Sequence, residues 1–262
     1  MTMSVRFSVT VMAPMVTESS EHQFRARISL PVFVWGWLCL IGCTIFARRI
    51  SHVLPGFTAG GALCKVEGLD KLPRQGSFVL ALNHFGGAGT LRVIAQALQS
   101  LSSVRPDVVD EVVIITGRRA SNDAVTSFFR QLMRRLINWG FQRWSTNVVR
   151  LSLDEGKMST TSLRRWRKLA SEKPSLVFPE GRAQLHFGQI RSGAGLFLRS
   201  IAPVAPVIPV AVFCRDGLWT VRFGKPIVWC DRLDLSDAQV GLSIASLLPA
   251  ELTPLWNRAL KR

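Results

Sequence analysis

The stretch FVLALNH at residues 78–84, followed by FGGAGT at residues 85–90, decides the class of fold. Five consecutive apolar residues have the length of a buried strand and are too few for a helix. The polar pair Asn83-His84 ends this run, and the glycines that follow allow a ligand to approach the main chain closely. A helical pattern then begins. The junction is therefore a strand–loop–helix unit, and its polar residues lie at the carboxyl end of the strand.

The same alternation of short apolar runs and helical patterns continues from about residue 60 onward. It predicts an α/β fold with a mainly parallel central sheet flanked by helices. One helix is predicted where apolar residues repeat at helical spacing from Val125 to Leu136, and another from Ser159 to Lys173. The predicted strands are Phe78–Leu82, Val112–Thr116, Asn147–Leu151, Leu176–Phe178, Val207–Phe213 and one near Trp219–Phe223.

Composition excludes several classes of protein. The chain has 262 residues, of which 48% are hydrophobic, so it is not intrinsically disordered. Its five cysteines are few and odd in number, which excludes a disulfide scaffold and indicates reduced thiols. The one cysteine pair at zinc-ligand spacing, Cys39 and Cys43, lies inside an apolar run with no nearby His, so no metal site is indicated. The 33 basic residues against 17 acidic residues give a net charge of +16, which favours nucleic acid or an anionic membrane surface as a partner.

An uncharged segment, ISLPVFVWGWLCLIGCTIFA, occupies residues 28–47, with two arginines close to each end. As a helix it would span about 30 Å, the thickness of a bilayer core. Trp35 and Trp37 lie near its middle, which fits a helix or hairpin half-sunk in one leaflet as well as a span. A buried core helix is a third reading. The predicted organisation is a poorly ordered stretch at 1–24, a membrane-anchoring segment at 25–59 and an α/β domain at 60–262.

Two strand ends carry the candidate chemistry. A histidine at the carboxyl end of a sheet strand lies where α/β proteins build their sites, and it is the natural general base for deprotonating a hydroxyl. His84 has that position. Glu180 and Arg182 follow a second strand, in the sequence FPEGR. Taken alone, His84 also fits a structural role, and Glu180 with Arg182 also fits an ion pair on a surface loop.

Together these motifs resemble the glycerolipid acyltransferases, whose best-known members are the 1-acylglycerol-3-phosphate (lysophosphatidic acid) acyltransferases. The resemblance covers roughly residues 60–230, and its most specific feature is Phe-Pro-Glu-Gly following Asn-His. The matching segments are VEGLDKLP at 66–73, Asn83-His84, Arg150 at the end of NVVR, FPEG at 178–181, PVIPV at 206–210 and FGKPI at 223–227.

The resemblance implies transfer of a fatty acyl group from acyl-CoA or acyl carrier protein to a lipid hydroxyl. His84 matches the family's catalytic base, and Glu180 with Gly181 matches the acceptor-binding turn. Arg150 matches the arginine that holds the acceptor phosphate, a role suited to a guanidinium fork. Asn83, which precedes His84 in the motif, is expected to contribute to substrate binding. No cofactor is implied beyond the donor thioester, and no metal.

Two departures from the family pattern bear on activity. The family carries an Asp five residues after its histidine, and this sequence has Gly89 there. In a comparable hydrolase arrangement, neutralising the orienting carboxylate costs about 10⁴ in turnover. Glu180 or another group would have to replace the missing Asp. The family also continues Glu-Gly with Thr-Arg, whereas Arg182 follows directly here, so Arg182 or Arg191 is expected to supply that charge.

The leading hypothesis is a membrane-associated O-acyltransferase of phospholipid synthesis whose active site faces the cytoplasm. Its expected partners are membrane lipids and acyl-CoA or acyl carrier protein; the oligomeric state is left open. The alternative is a catalytically degenerate relative that binds lipid without turnover, motivated by Gly89. Nucleic-acid binding has only charge in its favour, since no reader motif accompanies the basic residues.

Overall fold

The computed structural model describes residues 34, 38, 42, 49–58, 64–84, 90–118, 148–154, 157–158, 160–181, 187–215 and 218–257. The predicted helix around 125–136, and most of the apolar segment at 28–47, lie outside these residues. Within the described part of the chain, no helix has both the length and the apolar character needed to cross a membrane.

The described residues form a mixed, mostly parallel sheet of eight strands in the order β1-β8-β7-β2-β6-β3-β4-β5. Strand β8 runs antiparallel to β7 and β5 antiparallel to β4, while the other neighbours are parallel. The strands are β1 (Cys64–Glu67), β2 (Val79–Leu82), β3 (Val113–Arg118), β4 (Val148–Asp154), β5 (Lys157–Met158), β6 (Ser175–Val177), β7 (Val207–Arg215) and β8 (Leu218–Phe223).

Helices flank this sheet, so the predicted α/β architecture is confirmed. Leu80 and Leu82 point from β2 toward α2, whereas the alternate residues Val79 and Ala81 are equally buried on the opposite face. Both faces are therefore covered. The helices are α1 (Ile50–Thr58), α2 (Thr90–Val104), α3 (Pro106–Val109), α4 (Thr160–Glu172), α5 (Ala194–Ile201) and α6 (Ser236–Ala245).

All six predicted strands are present, with ends that differ by one to three residues. Strands β1 and β5 were not predicted. β1 contains Lys65 and Glu67, and β5 has two residues, so neither shows an apolar run. Helix α4 matches the helix predicted from Ser159 to Lys173. Its Trp166 and Ala170 are buried and face the domain.

Helices α5 and α6 are joined at their amino ends. Main-chain N–H groups of Gly193 and Gly195 donate to the Asp237 carboxylate at 2.9 and 2.6 Å. A Cβ at Gly195 would lie 2.3 Å from the carbonyl oxygen of Ser236, so only glycine allows this approach. The contact fixes α5 immediately after the loop that contains Arg191.

Candidate active site

The candidate site is built where β2 and β6, two neighbouring parallel strands, end. Their register pairs Val79 with Ser175, Leu80 with Leu176 and Ala81 with Val177. The same offset of 96 residues joins His84 to Glu180 beyond the strand ends. The two motifs recognised in the sequence are therefore brought side by side by strand pairing alone.

His84 is held through its main chain. Its N–H donates to Oε2 of Glu180 at 2.6 Å. The imidazole lies against the ring of Phe178, with ring centroids 4.6 Å apart and an angle of 37° between the planes. The side chain is partly exposed. This arrangement fixes the main chain from which the His84 side chain extends. It leaves the imidazole accessible to a molecule approaching from solvent.

Glu180 is a buried carboxylate, with 6% of its surface exposed. Oε1 accepts the Gly188 N–H at 3.0 Å while Oε2 accepts that of His84. Burial raises the pKa of Glu180 to about 7, against the opposing effect of these two N–H donors. The residue therefore exchanges its proton near neutral pH, and it reaches His84 through the main-chain N–H.

The turn after β6 brings an arginine to the site. The Gly181 N–H donates to the Phe178 carbonyl at 3.0 Å, and Gly181 has φ +73°, a conformation that favours glycine. The Arg191 N–H donates to the Pro179 carbonyl at 3.0 Å. A Cβ on Gly181 would lie 3.7 Å from Nη1 of Arg191. The guanidinium of Arg191 thus lies over the turn, beside Gly181.

Asn83 anchors the end of β2, immediately before His84, to the neighbouring strand β7. Its Nδ2 donates to the Val212 carbonyl at 2.9 Å, and its Oδ1 accepts the Val212 N–H at 2.6 Å. The side chain is 1% exposed. With both ends of its amide bound to β7, Asn83 continues the ladder between β2 and β7 and fixes the residue that precedes His84. Its predicted role in substrate binding remains a prediction.

Two contributors were not predicted from the sequence, Gly188 and Trp256. The Trp256 Nε1–H donates to the Gly188 carbonyl at 3.1 Å, and its ring stacks on Phe187 at 5.9 Å. Gly188 in turn donates to Glu180. A chain of hydrogen bonds therefore runs from the C-terminal segment through Gly188 and Glu180 to His84. No local sequence pattern predicts this chain of hydrogen bonds, since Trp256 is 68 residues away from Gly188.

The remaining predicted residues lie elsewhere or outside the described part. Arg150 is on β4, paired with Thr116 of β3, and β4 lies three strands from β2 in the sheet. Its side chain, and the whole of Arg182 and Gly89, are outside the described residues. The structure thus brings together His84, Glu180, Gly181 and Arg191, with Asn83 beneath them.

Two further features of the described ranges concern metal-ligand clusters and the Cys64 thiol. These ranges contain no group of three or more His, Cys, Asp and Glu side chains placed to hold a metal ion. Burial raises the pKa of the Cys64 thiol to about 11, so this thiol is a poor nucleophile at neutral pH. What the site offers is an accessible imidazole, a buried carboxylate and a guanidinium.

Comparison with known proteins identifies the fold. No family model matches the sequence, and no curated protein matches it. Among solved structures, the chain is similar to the crystal structure of the 1-acyl-sn-glycerophosphate (LPA) acyltransferase PlsC from Thermotoga maritima. The two share 13% identity and a TM-score of 0.51, over 83% of this chain and 95% of that one. The fold is therefore similar to that of PlsC, in agreement with the fold that the sequence resemblance implied.

Proposed function

We propose that the protein is a membrane-associated O-acyltransferase that moves a fatty acyl group from acyl-CoA or acyl carrier protein to a lysophospholipid hydroxyl. The first candidate acceptor is 1-acylglycerol-3-phosphate. The observation that carries the proposal is the meeting of His84 and Glu180 at adjacent strand ends, beside the Gly181 turn and Arg191, in the fold of PlsC. The reaction would occur on the cytoplasmic face of the membrane, with the apolar segment at residues 28–47 as the anchor, since Ile50 and Leu54 of α1 are buried in the core of the domain.

In this reaction His84 removes the proton from the acceptor hydroxyl as the oxygen attacks the thioester carbonyl. The tetrahedral intermediate collapses with cleavage of the carbon–sulfur bond, and the imidazolium returns its proton to the departing thiolate. The products are an ester and a free thiol. The Glu180 carboxylate holds the main chain of His84, and its charge favours the imidazolium that forms transiently.

Arg191 is the described cation best placed to bind the acceptor phosphate, because its guanidinium lies over the Gly181 turn. A guanidinium presents two parallel N–H donors to phosphate oxygens, which fixes the acceptor as well as attracting it. Arg182 and Arg150 are proposed as further phosphate ligands, and Asn83 as the residue that keeps His84 in register.

A second candidate function follows from Gly89. Because this position lacks the family's Asp, the carboxylate that the resemblance assigns to orienting the imidazole is absent from the motif. The protein would then bind a lysolipid or an acyl chain without turning it over.

The deciding experiment uses the full chain in mixed micelles with long-chain acyl-CoA and a panel of lysolipids. Thiol release and radiolabelled product are followed together. We expect label in one acceptor, reduced by about 10²–10⁴ in His84→Ala, the usual contribution of a general base. The matched control is His52→Ala, an exposed histidine on α1, which should keep full activity.

If no product forms with acyl-CoA, the same panel is tested with acyl carrier protein as the donor. If no product forms with either donor, in protein that still binds lysolipid, the second candidate function, lipid binding without turnover, would be favoured. Full turnover by His84→Ala would overturn the mechanism.

A further inference from the structure

Helix α4 carries a cluster of cations on its outer side. Arg164, Arg165, Arg167 and Lys168 are all exposed, whereas Trp166 between them is 2% exposed and faces the interior. We call these four exposed residues the basic face. The helix is thus held to the domain by its apolar side, and the opposite side presents four positive charges within five residues.

The basic face has no internal compensation in the described part of the chain, where no ion pair joins any of its four residues to an acid. Arg164 and Lys168 are four residues apart, and Arg164 and Arg167 three apart, so they are neighbours on the helix surface. Like charges at these spacings destabilise a helix. The free protein therefore bears a repulsion that an anionic partner would relieve.

The place of α4 relates this face to the site. The helix begins just after β4 and β5, at the edge where the parallel strands β4, β6 and β2 all end. His84 and Glu180 lie at that edge. The ring of Trp166 lies 4.9 Å from that of Phe197 on α5, and Leu196 on the outside of α5 is 48% exposed. Helix α5, which packs against α4 through Phe197, thus carries an exposed apolar side chain.

We propose that the basic face of α4 docks the domain onto anionic lipid headgroups. Charge complementarity requires an anionic partner, and the choice of a lipid surface over other polyanions rests on the proposed function, whose acceptor is a membrane lipid. A lipid surface also suits four exposed cations spread along one face of a helix. Docking here would hold the edge that carries His84 near its substrates.

The expected effect is measurable. A Lys or Arg close to an anionic bilayer strengthens binding by about fivefold, so removing two weakens it by about 25-fold. The attraction falls off within a Debye length, about 10 Å at 0.1 M salt. Binding through the basic face should therefore weaken as salt is added.

The test measures partition of the full chain onto vesicles of phosphatidylcholine, with and without phosphatidylglycerol. Wild-type protein should prefer the phosphatidylglycerol vesicles. Arg164→Gln/Lys168→Gln should bind them about 25-fold less tightly, with binding to phosphatidylcholine unchanged. The matched control, Arg74→Gln/Lys225→Gln, removes two exposed cations elsewhere and should keep the preference.

An equal loss in both variants would show that total charge, and not the basic face, is responsible, and would overturn the proposal. So would retention of the preference by the α4 variant. If the α4 variant keeps its preference for phosphatidylglycerol but loses binding to acyl carrier protein or to nucleic acid in a separate binding assay, the basic face binds that partner and the proposal is overturned. The assay contains no acyl donor, so a failure of acyl transfer leaves its outcome unaffected. Circular dichroism should show both variants folded, because the α4 variant only relieves repulsion.

Discussion

At Glu180, burial and hydrogen bonding act on one carboxyl group in opposite directions. Burial favours the neutral acid, while the N–H groups of His84 and Gly188 favour the anion. Burial has the larger effect, and the pKa rises from 4.5 to about 7. Near neutral pH the group that holds His84 in place therefore exists in both protonation states.

This shift predicts how the free energy of unfolding depends on pH. Because the folded-state pKa is raised, the stabilisation is fully present below the ordinary carboxyl pKa and is lost as pH rises through about 7. The change is worth about 3 kcal/mol, at 1.36 kcal/mol per pKa unit. Glu180→Gln does not titrate, so the stability difference between the two proteins should change by that amount between about pH 4 and about pH 8.

Urea unfolding at both pH values measures this difference. Glu251→Gln, at an exposed position, is the control and should follow the wild-type protein. Parallel pH profiles for the wild type and Glu180→Gln would contradict the raised pKa.

At the scale of elements, the C-terminal segment holds the loop that holds Glu180. The 3₁₀ turn Ala250–Leu252 leads to Trp256, whose Nε1–H reaches the Gly188 carbonyl. The ring of Trp256 lies so close to α6 that a Cβ at Gly241 would be 2.1 Å from it. The contact therefore connects α6, the loop at 187–190 and the candidate site.

Trp256→Phe keeps an aromatic ring against Phe187 and removes the N–H donor. We expect a stability loss of about 1 kcal/mol, the usual value of one hydrogen bond, and faster amide exchange at 187–190. Hydrogen–deuterium exchange with mass spectrometry measures the second effect. Trp229→Phe is a matched control, because the buried Trp229 Nε1 has no hydrogen-bond partner in the described residues. Equal protection of residues 187–190 in both variants would argue against the connection.

For the molecule as a whole, local pattern predicted the central strands because each is an apolar run. It missed β1, where Lys65 and Glu67 alternate with Cys64 and Val66, since the partner that makes this a strand is β8. The same limit applies to the site. His84 and Glu180 were predicted from motifs, but the contact through the main-chain N–H depends on strand register, and Gly188 and Trp256 depend on packing between distant segments.

Arg222 on β8 joins several of those segments. Nε donates to Glu67 of β1 at 2.7 Å and Nη1 to the Leu247 carbonyl at 2.8 Å, and the guanidinium lies 5.3 Å from the ring centroid of Phe213. Arg222→Met keeps the length of the side chain and loses both hydrogen bonds. We expect unfolding to become easier by about 1–2 kcal/mol, with amide protection lost first in β1.

Denaturant titration combined with hydrogen exchange checks both effects. The control is Arg232→Met, which removes a pair with Asp234 whose two side chains are 68% and 62% exposed. Such surface pairs contribute little, so no measurable change is expected there. Equal losses in the two variants would mean that Arg222 contributes only as a surface charge.

The pairing of β1 with β8 also has a consequence for biosynthesis. Glu67 and Arg222 are 155 residues apart, so at about 5–20 residues per second the first strand leaves the ribosome about 8–30 s before its neighbour is made. During that interval the residues of β1 lack β8, the strand with which they pair in the folded protein. The charges of Lys65 and Glu67 protect β1 during this interval, because charged residues discourage pairing of an exposed strand with the wrong chain.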